Sequence, residues 1–239
     1  MAKYYMATRR TFLAAAAVAA VLSAPAALRG QAGDLPLAPY LLDEAWELAL
    51  ARSAGPPQVV AGAGLSVLRA DGYHEVRASA NGFHCLVERS FTAPTDNPAD
   101  FWDPRVLAPI CFAPDAVATV MQRELLLARL VAGGGTQRAI RTAVDAAYAD
   151  GTLRYPETAV IAYMFSSGQW LGPNITHWHP HVMVWAPGLE AGDVAPADVG
   201  SFGLHSGLPV IDTRFGPRQP LIVIPVATAI DPERPAPQQ

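Results

Sequence analysis

Three imidazoles crowd one short stretch, NITHWHPHVMVW (174–185). His177, His179 and His181 are half of the chain's six histidines, and the thioether of Met183 follows two residues on. On an extended chain successive side chains alternate between faces, so these four share one face while Trp178, Pro180, Val182 and Val184 take the other. His-x-His on a strand is a recurrent way to bring two imidazoles to one ion, and three imidazoles beside a thioether suit copper or zinc. His205 or His84 could complete such a set. From His177 to His181 a straight strand spans about 13 Å, so only adjacent members of the run can share an ion without a bend. A competing reading has Pro180 bend the chain, leaving His177 and His179 in a solvated loop and His181 at the start of a strand.

Other chemistry-bearing patterns are incomplete. The His-x-His after Gly172 is like the cupin metal motif, but the Glu that cupins place four or five residues on is replaced by Val182–Val184. No HExxH or deaminase-type zinc motif occurs. Gly62-Ala63-Gly64 has Val67 where a dinucleotide loop needs its third glycine, and Gly133-Gly134-Gly135-Thr136 has no lysine after it. Ser206 stands one place too late for a G-x-S-x-G elbow, and His84 next to Cys85 points to the opposite face of its strand.

The elements that must position these residues follow from periodicity. Apolar residues at helical spacing from Leu41 to Leu50 predict a short amphipathic helix ended by AGPP (54–57). Asp71-Gly72 and Asn81-Gly82 are two-residue hairpin turns, and together they predict a three-stranded meander. One face of it would carry Leu65, Val67, Val76, Ala78, Phe83, Cys85 and Val87. Pro114 opens a helix with a stripe through Val117, Val120, Met121, Leu125, Leu127 and Ala128, ended by three glycines. Thr136 caps a second helix, with Ile140, Val144 and Ala147 inward. Short β runs then occupy 159–165, 181–185, 209–213 and 221–226. Strands, a helical pair and strands again predict an α+β fold with a largely antiparallel sheet.

At the N-terminus Lys3, Arg9 and Arg10 precede an uncharged run from Phe12 to Leu22, which is far short of the roughly 20 residues of a spanning helix and reads as a cleaved export signal. TRRTFL (8–13) resembles the twin-arginine signal, which implies the twin-arginine export machinery as a partner, a bacterial or archaeal source and a periplasmic or secreted location. Cleavage fits after Ala26 or Ala32, and with the first the chain divides into a signal (1–26), a linker (27–39), one α+β domain (40–230) and a disordered tail (231–239). The formal charge is −4, and loss of the signal's basic residues makes it more negative, which argues against nucleic acid and anionic membranes as partners. No stable membrane anchor is expected. Cys85 and Cys111 form a disulfide or two buried thiols, and one pair leaves none for a zinc or iron–sulfur framework.

NGFHCLVERS (81–90), PICF (109–112), IAYMFSS (161–167) and PHVMVWAPG (180–188) occur in the order seen in a family of exported bacterial proteins of unassigned function, which the chain resembles over about residues 60–190. The resemblance implies the Cys85–Cys111 pairing and singles out His181 with Met183, while His177 and His179 fall outside its pattern. The reading that results is a domain binding a small-molecule ligand or a metal near His181, Met183, Trp185, Tyr163 and Ser166. The alternatives are a metal-dependent hydrolase or other enzyme using His177, His179 and His181, and a structural envelope protein without pocket chemistry.

Overall fold

The computed structural model of the chain describes residues 36–189, 209–212, 214 and 218–235. The predicted signal and most of the predicted linker lie outside them, as do His205 and Ser206. The fold is α+β. Its eight strands are β1 (Gly64–Arg69), β2 (Gly72–Arg77), β3 (His84–Glu88), β4 (Ala108–Phe112), β5 (Val160–Met164), β6 (His181–Trp185), β7 (Val210–Asp212) and β8 (Leu221–Pro225). They form one sheet in the order β2-β1-β3-β4-β5-β6-β8-β7, antiparallel at every step except β1–β3.

That exception corrects the predicted meander. β3 does not fold back on β2 but lies parallel to β1 on its other edge, with Gly64 opposite His84 and Leu65 opposite Cys85. The Asn81-Gly82 turn is real, Gly82 having φ +80°, but it ties the chain to the segment before β1. Ala80 N donates to Gly62 O at 2.7 Å and Asn81 Nδ2 to Val59 O at 2.7 Å. The physical reason lies in the strands themselves. HCLVE is buried almost throughout and needs neighbours on both edges, whereas GYHEVR is largely exposed and suits an edge. The first hairpin forms with a slipped register. Arg69 faces Gly72, so Ala70 and Asp71 make the turn, and a bulge at Leu65/Ser66 shifts the pairing again. Val76, expected inward, is consequently 38% exposed.

Helices cover both faces of the sheet. On one lie α1 (Glu44–Ser53) and α2 (Pro57–Val60), whose Leu50, Ala51, Ala54 and Val60 pack with Leu65, Cys85, Val87 and Cys111. α1 starts later than its periodicity suggests because Asp43 caps it, accepting from Trp46 N at 3.1 Å. A single turn, α3 (Pro98–Phe101), precedes β4. On the other face, α4 (Pro114–Val117) and α5 (Val120–Ala132) bring Ala116, Val120 and Met121 onto Leu86, Ile110, Phe112, Ala162, Met183 and Trp185. α6 (Gln137–Ala149) packs on α5 through Ile140, Val144 and Ala147, and Thr136 caps it as its sequence predicts. Cys85 and Cys111 stand directly opposite each other on β3 and β4 and form a buried disulfide. No helix among the described residues is long and apolar enough to cross a membrane.

Packed structure extends beyond the domain limits expected from composition. Leu37, placed in the linker, is wholly buried, and residues 38–40 form a 3₁₀ turn. In the expected tail, Asp231 accepts from Ser167 Oγ and the Arg234 guanidinium lies 5.6 Å from the Trp46 ring centre.

Candidate functional site

β6 carries the residues that the sequence singled out. In its alternation His181, Met183 and Trp185 are buried on one face. Register with β5 sets Met164 beside His181, Ala162 beside Met183 and Val160 beside Trp185, and β8 adds Val223 and Leu221. Over this row lies a cavity of about 380 Å³. Its described lining is largely apolar, with Val106, Met164, Leu171, Met183, Trp185 and Val223 among the walls. Carboxylates reach it from two further elements: Glu88 at the end of β3 and Glu124 on α5.

Glu124 gets there by helical spacing, for Val120, Met121, Glu124, Leu127, Ala128 and Val131 are the buried positions of α5. Its Oε1 accepts from Arg123 Nη1 at 2.7 Å. Its Oε2 is buried with no hydrogen-bond partner among the described residues, and the same holds for Trp185 Nε1. The Glu88 carboxyl makes no hydrogen bond or close ion pair among the described residues. Burial first, and then the neighbouring Glu124 carboxylate, push the Glu88 carboxyl well above the usual carboxylate range, against the opposing pull of Arg123. Burial likewise raises Glu124, with Arg123 pulling it down. Of the other acids at the cavity, Asp212 pairs with Arg214 at 2.6 Å and Asp103 with Arg105 at 2.7 Å, while Asp100 accepts from Asn97 Nδ2 at 2.9 Å.

His181 is 2% exposed, and burial pushes its pKa down to about 4. Its Nδ1 lies 2.7 Å from His179 O. A carbonyl only accepts, so Nδ1 holds the proton of the neutral ring and Nε2 is left as an acceptor. The Trp178 ring packs 4.6 Å from the imidazole and lines the same cavity. Extended alternation therefore does not run back through Pro180. Trp178 joins His181 instead of opposing it, and strand geometry begins only at residue 181. The chain before it is a loop in which Thr176 N reaches Gly172 O at 2.7 Å and Thr176 takes φ +57°, an uncommon conformation for a β-branched residue.

His177 and His179 are exposed in that loop. His177 Nδ1 donates to Gln169 O at 2.6 Å, and His179 contributes its carbonyl to His181. No group of three or more His, Cys, Asp or Glu side chains able to hold a metal occurs among the described residues. His84, considered as a fourth ligand, is buried on β3 beside β1, its Nε2 2.8 Å from Ser66 Oγ and its Nδ1 3.7 Å from Glu75 Oε2.

Tyr163 and Ser166 lie away from the cavity. Tyr163 takes the other face of β5, beside the disulfide, its ring 6.2 Å from Phe83 and 5.3 Å from Phe165. Ser53 Oγ donates to Leu50 O at 2.8 Å, so in the 2.6 Å contact between Ser53 and Ser166 the proton comes from Ser166. Ser166 thereby ties β5's end to α1. The residues that periodicity alone did not single out are Glu88 and Glu124. A signal was present for Glu124, a carboxylate at a buried step of an otherwise apolar helical stripe.

Compared with known proteins, the chain matches no family model, no curated protein and no solved structure.

Proposed function

We propose that this chain is an exported domain that binds a small, largely apolar organic molecule in the cavity beside His181, Met183 and Trp185. The observation that carries the reading is the cavity itself. Its volume of about 380 Å³ falls within the roughly 300–1,000 Å³ of small-molecule sites, and its apolar walls enclose a few convergent polar groups. Two of those groups, Trp185 Nε1 and Glu124 Oε2, are buried without a partner among the described residues, a cost of about 1–3 kcal/mol each that a ligand with matching polarity removes.

Export rests on the twin-arginine-like signal at residues 8–13 and agrees with the buried disulfide, which forms and persists in oxidising compartments. The resemblance to exported bacterial proteins points the same way. The test is native mass spectrometry of mature protein purified from the periplasm of its expression host, with titration by the neutral fluorophore N-phenyl-1-naphthylamine. A co-purifying organic molecule, or saturable one-to-one uptake of the fluorophore, is the expected result; absence of both overturns the reading. Elemental analysis of the same sample tests the copper or zinc expectation, and a stoichiometric ion lost on His179→Ala would replace the organic ligand by a metal.

A further inference from the structure

We infer that the ligand of this cavity carries a basic nitrogen, held as an ammonium by Glu88 and Glu124. The inference rests on the cavity being a ligand site and specifies what enters it.

Most of the described charged residues that line the cavity have a counterpart. Arg89 Nη2 lies 2.9 Å from Glu47 Oε1. Asp103 and Asp212 each sit in a fork with the arginine two residues on. Asp100 is half-buried and accepts from Asn97 Nδ2 at 2.9 Å. That leaves Glu88, whose carboxyl has no hydrogen bond or close ion pair among the described residues, and Glu124, whose Oε1 is answered by Arg123 while its Oε2 is not. The two face one cavity and feel each other's charge.

Neighbouring carboxyls resist ionising together, and the Arg123 guanidinium, bound to Glu124 Oε1, offsets only part of that repulsion, since the Glu88 carboxyl stays raised beside it. A ligand ammonium offsets the remainder, since it donates up to three charge-assisted hydrogen bonds, which Glu88 and Glu124 Oε2 can accept. An anionic ligand is disfavoured by the same pair. The metal alternative lacks a donor set, because no cluster of three metal-binding side chains occurs among the described residues. The walls of the cavity specify the remainder of the molecule: the Trp178 and Trp185 rings and the Met164 and Met183 thioethers suit an aromatic or branched apolar body.

The test is isothermal titration calorimetry of the disulfide-intact protein at neutral pH with three probes on one frame: 2-phenylethylamine, 2-phenylethanol and 3-phenylpropanoate. The amine should bind at least about tenfold more tightly than the alcohol, with the acid weakest, and in Glu88→Gln the amine-to-alcohol ratio should fall to about one. Alcohol binding as tight as amine binding, acid binding tightest, or a ratio unchanged in the variant would each overturn the ammonium assignment and leave the cavity a ligand site. Failure of all three probes, together with the absence of a co-purifying molecule and of fluorophore uptake, would remove the ligand site and this inference with it.

Discussion

Two buried histidines define two kinds of interior in this protein. At the β1–β3 end, His84 Nε2 is hydrogen-bonded to the Ser66 hydroxyl and its Nδ1 lies 3.7 Å from the Glu75 carboxylate, and its neighbour Gly64 is so close that an added Cβ would stand 2.3 Å from His84 Nδ1. At the β5–β6–β8 end, His181 donates to a carbonyl of its own loop and borders a cavity, next to polar atoms left without partners among the described residues. Burial depresses both rings, but only His84 has an acid raising it in return. The closed end pairs its charges, Arg89 Nη2 meeting Glu47 as an ion pair without a hydrogen bond, and is cross-linked by Cys85–Cys111; the open end leaves carboxyl and indole groups poised. Unanswered polarity costs stability, so it marks the end where a binding function is to be sought.

The strongest way to break the comparison is to remove a charge from the closed end. Glu47→Gln leaves the fully buried Arg89 guanidinium without its counter-charge, and urea unfolding should show a loss of roughly 3–5 kcal/mol. Replacing both cysteines by alanine should cost about 3 kcal/mol in the same assay, since the bridge closes a loop across a separation of 26 residues.

His181 supplies a pH test. In the unfolded chain the ring titrates near 6.5, and in the fold at about 4, so folding favours the neutral form. Its contribution is therefore present above pH about 6.5 and is lost as pH falls toward 4, by on the order of 3 kcal/mol at most. Unfolding midpoints measured across that window should fall in the native protein and fall less in His181→Gln. An equal slope in the two proteins would assign the acid sensitivity elsewhere.

The smallest expected effect sharpens the contrast most. Glu88→Gln makes the same chemical change as Glu47→Gln, but at a carboxyl that the fold already prefers neutral. Its stability should lie within about 1 kcal/mol of the native protein at pH 7, on the stabilising side. A loss comparable to that of Glu47→Gln would show that Glu88 is a structural partner and not a group held open for a ligand.

Much of the frame was legible in the residues. Alternation located β6 at 181–185 to the residue, and helical spacing with the Thr136 cap located α6 and its inward Ile140, Val144 and Ala147. The His181–Met183–Trp185 side of one strand was legible for the same reason, since a period of two depends only on the chain itself. Sheet order was not. The turn at Asn81-Gly82 looked local, yet its partners are Val59 and Gly62, and which strand takes an edge is decided by how much of each face the rest of the molecule buries.

By itself, then, the sequence determined the element types, the cysteine pair available for bridging and the polarity of each strand face, because these depend on neighbours a few residues away. Only the tertiary structure decided that Tyr163 and Ser166 turn away from the cavity, that His177 and His179 stay exposed in a loop, and that Glu88 and Glu124 line one cavity. The loop at His177 and His179 is set by contacts with Gln169 and Gly172 that no simple period encodes, and the placements of Ser166 and of Glu88 with Glu124 depend on packing between residues 36 positions and more apart.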